Sequence, residues 1–287
     1  MAVDQGALAR HPSTRRLLTT ALGEDIGRGD VTSAAALPPG LRARATISTE
    51  EPCIVAGLFL APLAYQQVDP ALAVEVLLAE GATAGVEAPA VRITGPAAAI
   101  LAGERVVLNL LQHLSGVATL TRRFVDAVAG THAAIVDTRK TMPGLRLLEK
   151  YAVRMGGGVN HRFGLDDGIL IKNTHVALAG GTAAVVARVR AQAPASLRVQ
   201  VECRSAGELE AALAAGADAV LLDNRTPAEA ATLIRLVAGR VPVEISGGVT
   251  LANVAAYAAS GADRISIGAL THSAPAVAFH LRIAALA

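Results

Sequence analysis

Leu197-Arg198-Val199-Gln200-Val201-Glu202, Ala219-Val220-Leu221-Leu222-Asp223, Val241-Pro242-Val243-Glu244-Ile245-Ser246-Gly247-Gly248 and Arg264-Ile265-Ser266-Ile267-Gly268 are four short apolar runs, each closed by a polar residue or a glycine. Their length and β-branched content predict strands. The stretches between them, about Glu208–Ala215, Pro227–Val237 and Leu251–Ala259, carry helical spacing. The closing residues 202, 223, 247 and 268 stand 21, 24 and 21 residues apart, the rhythm of βα units in a parallel barrel. Upstream, Ala133–Val136 runs into Asp137-Thr138-Arg139-Lys140 and Gly168–Ile171 runs into Lys172. That makes about six strands, fewer than the eight of a closed barrel, and predicts an open, incomplete one.

Ahead of this region the pattern differs. Ser13–Leu22 reads as an amphipathic helix with Ser13 as N-cap, followed by a polar turn over 23–30. Arg42–Ser48, Cys53–Val55, Ala73–Leu78 and Ala90–Thr94 read as strands, with one helix at about Leu58–Gln67. Arg105–Leu114 is helical by spacing, Gly116 is expected to break it, and a second helix follows to about Val128. The predicted fold class is α/β: an N-terminal α+β sandwich domain with a helical N-terminus (1–115), then an open parallel α/β barrel (116–287). A C-terminal helix is expected to pack back on the first domain.

Composition narrows the function. Hydrophobic residues make up 52% of the 287, yet only seven are aromatic and none is Trp. This excludes disorder and argues against single-stranded nucleic-acid binding, which relies on aromatic stacking. A net charge of +2 provides no field for a polyanionic polymer. Two distant cysteines, Cys53 and Cys203, exclude a disulfide framework and a zinc ribbon and fit a reducing, cytoplasmic compartment. The N-terminal stretch 1–16 lacks the apolar core of a signal peptide, and no apolar run reaches membrane-spanning length.

All but three of the 26 basic residues are arginines, so each lysine stands out. Lys140 and Lys172 fall at strand ends; Lys150 reads as a helix-surface charge. The carboxyl ends of barrel strands form the active face, which places Arg139, Lys140, Lys172, Glu202, Asp223, Gly247, Gly248 and Gly268 together. Gly247-Gly248 and Gly268 follow the last two strands, where barrels bind phosphate, and Ser246 and His272 add donors. Gly156-Gly157-Gly158-Val159-Asn160-His161-Arg162 sets glycines before a His-Arg pair suited to a carboxylate. With Arg139, Lys140, Lys172 and His175, it predicts a cationic pocket for a substrate of several negative charges. Arg105, read as lying in the first turn of its helix, is a cation at the partly positive end, where an anion would bind both. Glu202 and Asp223, acids on neighbouring strand ends, suit a divalent cation, a hydroxyl clamp or a developing positive charge. Cys203 would point away from Glu202 and is read as packing.

The run from Asp137-Thr138-Arg139-Lys140-Thr141-Met142-Pro143-Gly144 through Glu149-Lys150-Tyr151 to Gly156-Gly157-Gly158-Val159-Asn160-His161-Arg162 resembles the quinolinate phosphoribosyltransferase family. Glu24-Asp25-Ile26-Gly27-Arg28-Gly29-Asp30, Gly103-Glu104-Arg105, Leu222-Asp223-Asn224, Ser246-Gly247-Gly248 and Gly268-Ala269-Leu270-Thr271-His272 extend the resemblance over nearly the whole chain. The resemblance implies a homodimer with active sites shared across the interface. It also implies the Mg²⁺-dependent reaction of quinolinate with phosphoribosyl pyrophosphate to nicotinate mononucleotide, pyrophosphate and CO₂, a step of NAD synthesis. It assigns quinolinate to Arg105, Thr138, Arg139, His161, Arg162 and Lys172, and the pyrophosphate side to Lys140. Ribose and metal fall to Glu202 and Asp223, and the 5′-phosphate to Ser246, Gly247, Gly248, Gly268 and His272. Lys140, Lys172, Glu202 and Asp223 are the implied catalytic groups. Two departures stand out: Lys172-Asn173-Thr174-His175 replaces the usual Lys-Asp-Asn-His, and Gln200 replaces a frequent Glu. They leave open a paralogue acting on another pyridine acid; a non-catalytic barrel that binds a phosphorylated metabolite is the rival from a different class.

Overall fold

The computed structural model describes residues 5–286; the first four residues of the N-terminal stretch and the last residue lie outside them. The chain opens with helices α1 (Gln5–Arg10), α2 (Pro12–Ile26) and α3 (Val31–Ala36). Strands β1 (Arg42–Thr49) and β2 (Cys53–Ile54), helix α4 (Leu60–Val68) and strands β3 (Ala73–Val76), β4 (Thr83–Ala84) and β5 (Pro89–Pro96) follow. Helix α5 (Ala97–Ala127) leads to β6 (Ala134–Val136), α6 (Arg146–Met155) and β7 (Ile169–Ile171). Then come α7 (Asn173–Leu178), α8 (Thr182–Gln192), β8 (Val199–Cys203), α9 (Ala206–Ala214), β9 (Ala219–Asp223) and α10 (Pro227–Val237). The chain closes with β10 (Val243–Ser246), α11 (Val254–Ala259), β11 (Arg264–Ser266), α12 (Ala269–His272) and β12 (Phe279–Ala285).

Two compact units interleave along the chain. The first takes residues up to Arg122, then Thr141–Gly157, then Leu270 onward; the second takes Arg123–Lys140 and Gly158–Ala269. The first unit is built on an antiparallel sheet ordered β12-β1-β5-β3, beside a small β2-β4 pair. In β1 the alternation Arg42, Ala43, Arg44, Ala45 turns the alanines and then Ile47 into the core and leaves the arginines outside, the period-2 signature of a sheet with one wet face. Asp30 caps α3 by accepting from the backbone N–H groups of Thr32 and Ser33, both at 3.0 Å.

The second unit is a parallel sheet of six strands, ordered β6-β11-β10-β9-β8-β7. Its two edges, β6 and β7, are not paired with each other, so the sheet stays open, as the strand count predicts. β8 is buried along its whole length, as strands covered on both faces must be. Thr226 and Glu229 form a reciprocal capping box at the start of α10.

Several expectations need correction. Gly116 does not break a helix: α5 is continuous for 31 residues. A Cβ at Gly116 would collide with the carbonyl oxygen of Pro275, so this glycine serves close packing. Arg105 consequently sits in the helix interior, on an exposed face, and its charge does not meet a partly positive helix end. The closing segment is a strand, not a helix: Phe279, Leu281 and Ile283 alternate with polar or small residues, and the open edge of β1 pairs with them antiparallel. Lys150 is not a surface charge; it is 3% exposed on α6, which is buried continuously from Leu148 to Val153. His11, not Ser13, caps α2, accepting from the Ser13 N–H at 3.2 Å, and that helix runs on to Ile26 through much of the expected turn.

Candidate active site

Side chains two residues apart on a strand share a face. Gln200 and Glu202 on β8, Leu221 and Asp223 on β9, and Glu244 and Ser246 on β10 therefore project together in pairs. The parallel register sets Ser246 beside Asp223. The Ser246 hydroxyl donates to Asp223 Oδ1 at 2.5 Å, and Asn224 Nδ2 donates to Oδ2 at 2.7 Å. Glu202 is buried one strand away. Burial raises the Glu202 carboxyl above its ordinary range and the negative charge of Asp223 adds to this. Lys172, the Asn173 N–H and Arg204 pull the other way and do not overcome it. Cys203 faces away, fully buried, its thiol pushed up to about 12 by burial and by the neighbouring acids.

The cations gather at the ends of β6 and β7. Asp137, wholly buried, organises the connection. It accepts from Asn160 Nδ2 at 2.6 Å and from the His161 N–H at 2.8 Å. The glycine-rich segment therefore adds no strand, only a parallel bridge of Val159 to Val136. Thr138 Oγ1 accepts from the Lys140 N–H at 3.0 Å, folding Thr138-Arg139-Lys140 into a turn at the strand end. Arg162 Nη1 donates to the Gly168 carbonyl at 2.9 Å. Burial, and then the charge of Arg139, hold the Arg162 guanidinium below its ordinary range, while Asp167 opposes them. Two guanidiniums near enough to repel in a partly buried place are relieved by an anion that bridges them. Lys172 opens α7, its N–H donating to His175 Nδ1 at 2.9 Å. At the position of the missing carboxylate, Asn173 instead gives its backbone N–H to Glu202.

Past β10 the chain turns through Gly247 and Gly248, with φ of +88° and +64°. A Cβ at Gly247 would run into the Asn224 side chain, so only glycine lets the turns after β9 and β10 pack this closely. The Asn224 N–H donates to the Ser246 carbonyl at 2.9 Å, tying the two turns together.

Thr138, Arg139, Lys140, Lys172, Glu202, Asp223, Ser246, Gly247, Gly248 and Gly268 lie in the second unit at or just beyond the carboxyl ends of its strands; His161 and Arg162, in the same unit, lie in the connection from α6 to β7 and are tied to the end of β6 through Asp137. Arg105 and His272 belong to the first unit. Reading the sequence alone overlooks Asp137 and Glu244. Both are charged residues inside or abutting apolar runs, and that interruption is the signal that points to them. Among the described residues, no group of three or more His, Cys, Asp or Glu is arranged to hold a metal ion, and no helix is long and apolar enough to cross a membrane.

Residues 30–115 match the family model for the N-terminal domain of quinolinate phosphoribosyl transferase, and residues 117–282 match the model for its C-terminal domain. A nicotinate-nucleotide pyrophosphorylase (carboxylating) from Mycobacterium leprae is 42% identical over 267 residues, covering 91% of this chain and 94% of the relative. A probable nicotinate-nucleotide pyrophosphorylase (carboxylating) from Synechocystis is 42% identical over 251 residues, covering 86% of this chain and 85% of the relative. The solved structure of the nicotinate-nucleotide pyrophosphorylase from Francisella tularensis superposes with a TM-score of 0.92 at 35% identity, covering 96% of this chain and 99% of that one.

Proposed function

The chain belongs to the quinolinate phosphoribosyl transferase family, and from that premise we propose that it transfers phosphoribosyl from phosphoribosyl pyrophosphate to quinolinate with loss of CO₂. It is a pentosyltransferase of NAD biosynthesis. The observation that carries the reading is that Arg139, just past β6, and Arg162, before β7, share one parallel-sheet unit with the strand-end acids Glu202 and Asp223. A mere anion receptor gains nothing from two carboxylates; a reaction that builds positive charge does.

In this reading Arg139 and Arg162, with Thr138 and Lys172, hold the two carboxylates of quinolinate, and His161 completes that side of the site by supporting Arg162 through its Nδ1. Ser246, Gly247, Gly248 and Gly268 hold the 5′-phosphate, and Lys140 faces the pyrophosphate. The bond from C1′ to the pyrophosphate oxygen breaks as the pyridine nitrogen bonds to C1′. Glu202 and Asp223 stabilise the oxocarbenium charge that peaks between these events. The cationic pyridinium then accepts the electron pair of the C2–carboxylate bond; CO₂ leaves and C2 takes a proton. The Glu202 and Asp223 carboxylates also fit Mg²⁺, which binds through one or two carboxylates together with substrate phosphates. When bound, Mg²⁺ supplies charge neutralisation to the pyrophosphate.

Arg105 enters through the proposed homodimer, in which the first unit of one subunit serves the site of the other; His272, four residues after Gly268 at the end of α12, joins the 5′-phosphate group. The buried, unpaired state of Cys53 and Cys203 supports the cytoplasm as the compartment. The test supplies phosphoribosyl pyrophosphate and Mg²⁺ with quinolinate or, separately, nicotinate, and measures nucleotide and CO₂. Stoichiometric nucleotide and CO₂ from quinolinate is the expected result; nucleotide from nicotinate alone overturns it.

A further inference from the structure

Behind the Asn160-His161-Arg162 turn lies a buried polar cluster that the assigned reaction does not use. Glu244 is 1% exposed, Ser266 5% and Gln200 8%. Three donors converge on the Glu244 carboxylate. Ser266 Oγ and His161 Nε2 approach Oε1, the latter at 3.4 Å, and Gln200 Nε2 donates to Oε2 at 3.1 Å. His161 Nε2 also lies 3.2 Å from Gln200 Oε1. On the other side of the ring, the Arg162 N–H donates to His161 Nδ1 at 2.7 Å.

Two independent chains of donors and acceptors then fix one tautomer. An ionised carboxylate only accepts, so Gln200 must turn its NH₂ to Glu244 and its carbonyl to His161. That carbonyl requires a hydrogen on Nε2. From the opposite edge, Nδ1 accepts a backbone N–H and so carries none. Burial pushes the Glu244 carboxyl up, and the hydrogen bonds from His161, Ser266 and Gln200 pull it down. The acceptor character of Glu244 is thus secured by the cluster itself.

We propose that Glu244 and Gln200 are positioning residues. They lock His161 as the Nε2–H tautomer, and through its Nδ1 they hold the backbone of Arg162 in place for the dianionic substrate. The role in substrate binding rests on the proposed function; the tautomer does not.

Glu244→Gln is the informative variant. The amide it introduces carries one acceptor and one donor group, and either arrangement of the two facing amides sets one carbonyl and one NH₂ against Nε2, where the wild type has two acceptors. The Nε2–H form then keeps one of its two acceptors, and its margin over the Nδ1–H form, which would face the Arg162 N–H, narrows. Exchanging the two residues, Gln200→Glu with Glu244→Gln, restores the original pattern, because the relocated carboxylate on β8 accepts from Nε2–H and from the new amide on β10.

The experiment reads the ¹⁵N shifts of the His161 ring in substrate-free protein, with the resonances assigned by their loss in His161→Gln. Wild type shows Nε2–H alone, Glu244→Gln shows a measurable Nδ1–H fraction, and the exchanged double variant returns to Nε2–H alone. In parallel, Glu244→Gln raises KM for quinolinate roughly tenfold, the equivalent of about one hydrogen bond. Its kcat changes much less, and the double variant recovers the KM. An Nδ1–H wild type, an unchanged tautomer in Glu244→Gln, or a double variant that recovers neither signal overturns the proposal. If Glu244→Gln prevents folding, Gln200→Met serves instead. It removes the bridge but leaves the carboxylate, so Nε2–H must persist, and a switch to Nδ1–H overturns the assignment to Glu244. A wild type that shows Nε2–H but does not turn over quinolinate sinks the assigned reaction and leaves the tautomer standing.

Discussion

Glu202 and Asp223 do different things for each other than for a substrate. As neighbours the two acids repel, and the Glu202 carboxyl is raised first by burial and then by the charge of Asp223. A developing cation relieves that repulsion. Glu202→Gln and Asp223→Asn should therefore lower kcat by about a hundredfold, the scale of losing one preorganised electrostatic group, with smaller changes in KM. Steady-state kinetics in both substrates checks this; variants that alter KM alone would reduce the acids to binding groups. The pH dependence follows in sign. Because Asp223 helps raise Glu202, Asp223→Asn lowers the Glu202 pKa, and the acid limb of kcat moves to lower pH. Strand-end residues such as these are legible in the sequence, because a polar group ending an apolar run has few places to go in a barrel. The role of Glu244 is not legible: an acid between Val243 and Ile245 marks the strand as unusual but does not say what it meets, until burial places it against His161, Gln200 and Ser266. Lys150 misleads for the opposite reason. Charge on a helix usually means solvent, but α6 is enclosed around much of its circumference.

Elements are readable wherever period and spacing agree. The spacing of closing residues predicts β8 to β11 and their helices, because a repeated βα unit leaves a repeated mark. The reading fails where a residue's local preference is overruled by packing. Gly116 looks like a helix stop, yet the backbone of Pro275 passes so near that no side chain fits there. Gly116→Ala should therefore destabilise the protein by about 1–3 kcal/mol through overpacking, although alanine is the better helix former. Chemical denaturation measures this, and a neutral or stabilising effect would mean that Gly116 is there for some other reason. β12 is read as a helix because three alternating apolar residues in a short segment do not decide between strand and helix until the pairing with β1 is seen. Asp218 joins elements in a way that can be titrated. It accepts from the Val199 N–H at 2.7 Å at the start of β8 and pairs with Arg190 of α8 at 2.6 Å. Burial raises its carboxyl, but Arg190 and the Val199 N–H lower it further, so the folded value lies below the unfolded one. Its stabilisation is therefore full above the unfolded carboxylate range and fades as pH falls through the folded value. Asp218→Asn should cost about 1 kcal/mol at neutral pH, modest because the pair is partly solvated. The gap to wild type should close in strong acid; a gap that stays constant with pH would contradict the assignment.

At the scale of the whole molecule, charge decides the substrate and symmetry decides the site. Arg139, Arg162 and Lys172 suit two carboxylates, and a monocarboxylate would leave a partly buried cation without its anion. Quinolinate should therefore exceed nicotinate in kcat/KM by at least about a hundredfold, two lost charge-assisted contacts at about 1.5 kcal/mol or more each; comparable values would refute this charge matching. Arg105 poses the larger question. It stands exposed on α5 in the first unit, and its helix supplies no local reason for the charge. The proposed homodimer supplies one: each subunit lends the same patch to the other. Suppose Arg105→Ala and Lys140→Ala are each inactive. In a mixed dimer, trans action places both lesions in one site and leaves the other intact. Random exchange of equal amounts makes about half of the dimers mixed, so roughly a quarter of all sites should be whole. Mixing the two inactive proteins, with a brief mild denaturant step to allow exchange, should then restore about a quarter of wild-type activity. If Arg105 serves its own subunit, both sites of a mixed dimer are damaged and activity stays near zero. Native mass spectrometry that confirms exchange while activity fails to recover would exclude action across the interface.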